Sequence, residues 1–183
     1  MQDFYLEQAF MAPLTPAMER SLLRRLAACA DAHHAQWRDC LLDDERHRLV
    51  CRIAAADLTT AHAAAQCSGF GGDATWLSAV SGTTTMPDRE VRERLVDVLA
   101  ECRWDVATAG SSAAHGQHAC GWCLDALRVQ PGPVITCAGG RRRLALFRAP
   151  DAEAVRNAYR RASVPFERVV ALRRIGNPLS PAT

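Results

Sequence analysis

Two stretches of this chain, 94 positions apart, can be superimposed residue by residue. Asp151 falls on Asp57, and Ala149 falls on Ala55. Both stretches show the pattern of a strand, an Ala-x-Asp turn, a helix, a short turn and a second strand. Similarity at one fixed spacing is typical of an internal duplication. We therefore predict that the chain contains two copies of one structural unit.

The first copy predicts a βαββαβ order of elements. Residues 4–10 alternate between two faces, as in a strand with two different sides. Thr15 and Pro16 are typical of a helix start, and Asp57 can cap a second helix. The predicted elements are strand 4–10, a helix from 16 to about 33, strands 36–42 and 49–55, helix 58–67 and strand 74–80. This order is that of a ferredoxin-like α+β sandwich.

The second copy predicts the same order with an altered first helix, because residues 107–118 are rich in glycine and serine. Its predicted elements are strand 96–104, an apolar helical pattern after Ala119, strands 134–137 and 143–149, helix 152–162 and strand 166–172. We therefore expect a ferredoxin-like domain at 1–80, a linker at 81–95, a second ferredoxin-like domain at 96–176 and a disordered tail at 177–183.

The composition is that of a soluble globular protein, with 49% hydrophobic and 23% charged residues. A formal net charge of +2 gives no reason to expect a nucleic-acid partner. No apolar window is long enough for a membrane span and the N-terminus lacks a signal-peptide pattern, so we expect a cytoplasmic protein. In such a protein the eight cysteines are predicted to be buried thiols rather than a disulfide framework.

Both copies resemble a family of small bacterial ferredoxin-like domains of unknown function, one member of which is described as a nickel-binding protein. The family pattern is a strand with a cysteine, Ala-Pro-Asp/Asn, a helix with a histidine, and then Gly-Leu/Phe-Pro. The first copy has Ala56 in place of the proline and otherwise matches through Cys51, Ala55, Asp57, His62 and Gly69-Phe70. The second copy matches through Ala149-Pro150-Asp151 and Pro165, but Ala145 and Arg156 replace the cysteine and the histidine.

Family members look like homodimers, so the resemblance implies an intramolecular pseudo-dimer with the two open sheet faces packed together. The alternative is a homodimer of the whole chain. A four-stranded sheet with both helices on one side leaves its other face uncovered, which favours the same packing. The strand alternation predicts that a cavity between the sheets is lined by Tyr5, Glu7, Leu99 and Glu101. Alternatively, the two glutamates lie at a wet rim or pair with Arg52 and Arg148.

Cys51 and His62 are the first candidates for a metal site, since thiolate and imidazole suit nickel, zinc or copper. Cys51 shares a strand face with Ile53 and Ala55, which predicts that it points toward the helices. There it could meet His62, whereas Glu7, a possible third ligand, lies on the other face unless the alternation is misassigned. The alternatives are core packing for Cys51 and a solvent or capping contact for His62.

The sharpest local cluster consists of His115, His118, Cys120 and Cys123. It could bind a metal ion, or its Cys-Gly-Trp-Cys segment could form a redox pair. On a helix the two cysteines would lie together, while the two histidines would point to roughly the opposite side. The repeat places the two cysteines over the buried stripe of the first helix, which favours core cysteines.

Three hypotheses about function follow. The first is a protein that binds a transition-metal ion for storage, sensing or buffering, through Cys51 and His62 with Glu7 as a possible third ligand. The second is a small-molecule-binding protein or an enzyme that uses the cavity between the sheets, with Glu7 or Glu101 as a general base. The third is a structural or interaction module. Because the chain contains no lysine, Schiff-base chemistry through lysine is excluded.

Overall fold

The computed structural model describes residues 1–70, 95–103, 121–136 and 141–176. The chain divides into two compact units, which we call unit 1 (residues 1–79 and 173–183) and unit 2 (residues 80–172). The predicted strand 74–80, nearly all of the linker 81–95, the segment 107–118 and the tail 177–183 lie outside the described residues. Among the described residues, no helix is both long enough and apolar enough to cross a membrane.

The described part of unit 1 contains three antiparallel strands and two helices. They are β1 (Gln2–Ala9), α1 (Pro16–Ala32), β2 (Gln36–Asp43), β3 (Arg48–Ala55) and α2 (Leu58–Cys67). β3 lies between β1 and β2 and pairs with both. The Thr15 side chain accepts a hydrogen bond of 3.2 Å from the Met18 N–H, and the Asp57 side chain caps α2 in the same way. Both helices therefore start where the capping residues predict.

The described part of unit 2 contains four antiparallel strands in the order β7-β4-β6-β5, together with two helices. Its elements are β4 (Val96–Arg103), α3 (Gly121–Ala126), β5 (Gln130–Thr136), β6 (Arg142–Ala149), α4 (Ala152–Arg161) and the first part of β7 (Arg168–Gly176). The end of β7, from Arg173 onward, belongs to unit 1, where it neighbours β2. The α+β class and the antiparallel sheets agree with the predicted ferredoxin-like architecture.

β5 starts at Gln130, which is earlier than the predicted start at Val134. The added first part of the strand contains Pro131 and Pro133, and a proline has no N–H to donate to a neighbouring strand. Among the described strands, β5 pairs with β6 alone, and an edge strand tolerates prolines. The edge position of β5 therefore allows the strand to include these two prolines.

The strand registers of the two units repeat at the spacing of 94. Leu6 lies opposite Cys51 between β1 and β3, and Ala100 lies opposite Ala145 between β4 and β6. The backbone also repeats at its left-handed turns, where positive φ angles occur at His34 (53°) and Arg128 (56°), and at Gly69 (82°) and Ser163 (54°). Positions that are related by the shift can therefore be compared directly between the units.

Each unit has its own apolar core between its sheet and its helices. In unit 1 this core contains Leu6, Cys51 and Ile53 together with residues of α1 and α2, as the strand alternation predicts. Tyr5 and Glu7 point to the other side of the sheet, which we call the helix-opposed face. The side chains of the helix-opposed face are therefore separated from the helix-side core by the sheet itself.

Candidate functional site

Cys51, the first candidate metal ligand, forms a disulfide with Cys40 and is fully buried. The two cysteines lie directly opposite each other on β3 and β2, with their Cα atoms 4.1 Å apart. Closely spaced antiparallel pairs bring side chains within reach of a disulfide. The prediction of a free thiol at Cys51 was therefore wrong, because the sequence did not reveal which residue of β2 faces Cys51.

A second disulfide, between Cys29 and Cys67, joins α1 to α2, with a Cα–Cα distance of 5.7 Å. The prediction that the cysteines are buried thiols was thus wrong for these two residues as well. It holds for Cys102 and Cys123, which are free and buried. Disulfides are uncommon in reducing compartments such as the cytoplasm, so these two bonds give no support to the predicted cytoplasmic location. That location stays a prediction.

The structure does not bring the three predicted metal ligands together. Cys51 lies in the helix-side core, Glu7 lies on the helix-opposed face, and His62 is half-buried on α2. Within residues 1–70, 95–103, 121–136 and 141–176, no group of three or more His, Cys, Asp or Glu side chains is arranged to hold a metal ion. Leu6 lies opposite Cys51 and shares its face of the sheet. Glu7 is the next residue of β1 and therefore points to the opposite face, away from Cys51.

The secondary metal candidates fall largely outside the described residues, which do not include His115, His118 or Cys120. Cys123 lies on the short helix α3 and is fully buried in the core of unit 2. Its position matches the buried stripe that the repeat predicts. Cys123, the one member of this cluster among the described residues, therefore packs as an apolar core residue.

The four predicted cavity-lining residues, Tyr5, Glu7, Leu99 and Glu101, are all buried. The Glu7 carboxylate accepts a hydrogen bond of 2.5 Å from Arg48. The equivalent Glu101 is contacted by Arg142 at 2.5 Å, by Arg168 at 3.2 Å and by Arg103 at 3.5 Å. Ion pairing with Arg52 and Arg148 was one of the predicted outcomes for these glutamates. The pairing occurs, but Arg52 contacts Asp3 instead of a glutamate, because it lies opposite Tyr5 rather than Glu7.

Four side chains form what we call the polar row, which crosses the helix-opposed face of unit 1: Tyr5, Arg52, Asp39 and Arg174. Tyr5 lies opposite Arg52 between β1 and β3, and Arg52 lies opposite Asp39 between β3 and β2. Arg174, at the end of β7, contacts the Asp39 carboxylate at 3.2 Å. The row therefore combines residues from four strands within one unit.

Arg52 is the charged centre of the polar row. One of its terminal nitrogens contacts the Asp3 carboxylate at 2.5 Å, and this hydrogen bond raises the pKa of Arg52. Its Nε atom is buried and donates no hydrogen bond to any described residue. Arg52 thus remains a cation with one buried N–H that protein groups in the described ranges do not satisfy.

Tyr5 places a second donor beside Arg52. Its side chain is only 7% exposed, and burial raises the pKa of its phenol to about 12, an effect that the charge of Arg52 partly offsets. No described residue accepts or donates a hydrogen bond at the Tyr5 hydroxyl. Tyr5 therefore stays protonated at neutral pH and can donate a hydrogen bond.

The polar row can therefore recognise an acceptor. It offers the Tyr5 O–H and the Arg52 Nε–H from adjacent strands, while Asp3 and Asp39 balance the charges of Arg52 and Arg174. Sequence reasoning had placed Tyr5 on this face but had treated Arg52 only as a partner for a glutamate. It missed Asp39 and Arg174, and the alternation along β2 was the signal that could have identified Asp39.

Unit 2 lacks this arrangement. At the positions equivalent to Tyr5 and Arg52 it has Leu99 and Leu146, which are both buried. The same strand registers thus carry a polar pair in unit 1 and an apolar pair in unit 2. A ligand site of this kind is therefore expected once per chain.

The raised pKa of Tyr5 predicts a loss of stability at high pH. Below pH 10 the phenol is protonated in both the folded and the unfolded chain, whereas between pH 10 and about 12 only the unfolded chain loses the proton. The free energy of unfolding should therefore fall across this range, and it should fall less in Tyr5→Phe. The chain has no lysine, which leaves tyrosines and thiols as the side chains that titrate here. Tyrosinate absorbance and denaturant unfolding measure the effect, and identical slopes in both proteins would contradict it.

Comparison with solved structures shows that this chain shares its fold with proteins of very different sequence. A candidate chlorite dismutase is 9% identical over 97% of this chain and 96% of its own, with a TM-score of 0.57. An anthrone oxidase-like protein is 12% identical over 100% and 97%, with a TM-score of 0.53. A mutant chlorite dismutase from Candidatus Nitrospira defluvii in complex with cyanide is 11% identical over 93% and 89%, with a TM-score of 0.52.

The likeness is one of fold. It supports a ferredoxin-like architecture, and it gives no support to membership of the nickel-binding family that the sequence resembles. Neither the models of known protein families nor the sequences of curated proteins match this chain. The site must therefore be interpreted from its own residues.

Proposed function

We propose that this protein binds a small molecule through a hydrogen-bond acceptor, at the polar row of unit 1. The observation that carries the proposal is the buried Arg52 Nε–H, which no described residue satisfies, next to the hydroxyl of Tyr5, a residue that is 7% exposed. A buried donor without a partner costs about 1–3 kcal/mol. A ligand oxygen or nitrogen that accepts from both donors would recover that free energy.

The surroundings of the polar row favour a ligand with an apolar part. Leu41, Val50 and Ala54 point to the same helix-opposed face and are buried. Ligand sites in proteins typically combine mainly apolar walls with a few polar groups that fix orientation. An acceptor group attached to an apolar ring or chain would fit this combination.

Proteins of similar fold support a small-molecule ligand. Their descriptions name chlorite, an oxyanion, as well as cyanide and an anthrone, and each of these carries an acceptor atom. The variant of this hypothesis in which Glu7 or Glu101 acts as a general base is less favoured. Both carboxylates are already engaged by arginines, so neither offers a clearly free oxygen to a substrate.

Titration calorimetry with benzoate tests the proposal, because benzoate joins a carboxylate acceptor to an apolar ring. We expect one benzoate per chain, at least tenfold weaker binding in Tyr5→Phe and Arg52→Leu, and no saturable binding of benzylammonium, which has only donors. Arg24→Met, which removes an exposed arginine from α1, is the matched control and should bind as the wild type does. Absence of benzoate binding, or equal binding by all variants, would contradict the proposal.

We propose as a separate point that the two units act as an intramolecular pseudo-dimer, as the tandem repeat predicts. The repeated strand registers support this, since each unit carries the same pairing pattern. Light scattering should then give the mass of a single chain, 20.0 kDa. Twice that mass would favour the homodimer instead.

Transition-metal binding through Cys51 and His62 is retained only for the reduced protein. The Cys40–Cys51 disulfide must open before Cys51 can offer a thiolate to nickel, zinc or copper. Elemental analysis after reduction, with Cys51→Ala/His62→Ala as the control, tests this. A reduced wild type that stays folded, as circular dichroism would show, and takes up no metal would exclude this pair as a site for storage, sensing or buffering.

A further inference from the structure

The Cys40–Cys51 disulfide lies directly behind the polar row. Cys40 follows Asp39 in β2, and Cys51 precedes Arg52 in β3. Because neighbouring residues of a strand point to opposite faces, the disulfide lies in the helix-side core while Asp39 and Arg52 lie on the helix-opposed face. The disulfide thus joins β2 to β3 at the positions next to the pair formed by Asp39 and Arg52.

The sheet is irregular at this same place. Between Trp37 and Asp39 the register of β2 against β3 shifts, and regular pairing resumes with Asp39 opposite Arg52. A bulge disrupts the hydrogen-bond ladder locally and bends its strand. The first regular pair after the shift is Asp39 with Arg52, which belongs to the polar row. The second is Cys40 with Cys51, which forms the disulfide. The link therefore lies where it can fix the position of Asp39 against Arg52.

Unit 2 has the same irregularity without the link. Its register shifts between Pro131 and Val134, and Val134 and Ala145 occupy the positions equivalent to Cys40 and Cys51. Apolar side chains can therefore fill this position in the same strand pairing. The covalent bond accompanies the unit that carries the polar row, whereas the unit with Leu99 and Leu146 lacks it.

We propose that the Cys40–Cys51 disulfide is a positioning element of the ligand site, an inference that rests on the proposed function. It holds β2 against β3 so that Asp39 retains Arg174 and the Arg52 guanidinium stays aligned beside Tyr5. A dithiol can supply the two electrons and two protons that convert the S–S bond into two thiols. β2 can then move at the bulge, and affinity for the ligand falls. Ligand binding is thereby sensitive to redox conditions.

The test compares two disulfide variants that differ only in which link is removed. Cys40→Val/Cys51→Ala copies the side chains that unit 2 uses at these positions and is therefore expected to fold. Cys29→Ala/Cys67→Ala removes the link between α1 and α2, which lies away from the polar row. We expect benzoate binding to weaken about tenfold in the first variant and to stay within twofold of the wild type in the second.

Amide hydrogen exchange gives a readout that does not require a ligand. Residues 36–43 should exchange faster in Cys40→Val/Cys51→Ala, while the equivalent residues 130–136 of unit 2 serve as the internal control and keep the wild-type rate. Unchanged exchange at 36–43 would overturn the positioning role, whether or not benzoate binds.

Two further results separate this inference from the proposed function. If the wild type and Cys40→Val/Cys51→Ala bind benzoate equally, the positioning role is wrong and the ligand site stands. If both disulfide variants lose affinity to the same extent, the effect is general destabilisation and the specific role is again wrong. Failure of the wild type to bind benzoate would remove the proposed function, and the exchange comparison would still decide the role of the disulfide.

Discussion

Reduction of both disulfides is expected to destabilise unit 1 by several kcal/mol and to leave unit 2 folded. The two bonds close loops with sequence separations of 11 and 38 residues. In the chain-entropy account, loops of these lengths contribute about 3 and about 4 kcal/mol. A small domain has a total stability of only about 5–15 kcal/mol, so the loss of both bonds can unfold it.

Among the described residues, both disulfides lie in unit 1 and the two free thiols, Cys102 and Cys123, lie in unit 2. Guanidinium unfolding read by amide exchange, with and without a phosphine reductant, follows each unit separately. The two single-disulfide variants show how much each bond contributes. If reduction lowered the guanidinium concentration needed for unfolding equally in both units, or in neither, the expected difference between unit 1 and unit 2 would be contradicted.

Removal of the Glu101 carboxylate is expected to cost about 3–5 kcal/mol, because three arginines contact a group that is only 3% exposed. Glu101→Gln keeps the shape of the side chain and removes its charge, so it isolates the electrostatic part. Arg142, the most buried of the three arginines at 12% exposure, would then lose the negative charge of its carboxylate partner. Urea unfolding at constant pH measures the loss.

Glu153 is the matched control for this prediction. It also contacts two arginines, Arg156 at 3.0 Å and Arg160 at 2.7 Å, but it lies on the exposed face of α4. Exposed ion pairs contribute little, because water and salt screen them. Glu153→Gln should therefore leave the free energy of unfolding unchanged. If Glu101→Gln also left it unchanged, burial would not strengthen the ion pairs of Glu101, and the prediction would be wrong.

Local features of the fold were predictable from sequence where a single residue controls them. Asp57 caps α2 through its side chain, and the predicted helix 58–67 has the observed bounds. The alternation along β3 correctly placed Cys51 on the helix side. Both rules act over a few residues, so neither needs knowledge of distant parts of the chain.

The candidate site was harder to predict because it depends on register and on distant neighbours. Cys40 lies opposite Cys51 because the hairpin sets Leu42 opposite Leu49, and the predicted strand bounds do not fix that register, since one residue of slip turns every side chain to the other face. Arg174 reaches Asp39 across 135 positions of sequence. The residue types alone predicted that Cys51 is a free thiol and a metal ligand. The pairing of β2 with β3 instead places Cys51 opposite Cys40, with which it forms a disulfide.

The identical registers of the two units have a consequence for engineering. Unit 2 has leucines at the two positions where the polar row of unit 1 has Tyr5 and Arg52. Its buried Leu99 and Leu146 show that this strand pairing accepts either chemistry on its helix-opposed face. We therefore expect that these two side chains can be exchanged between the units while the strand pairing that supports them is kept.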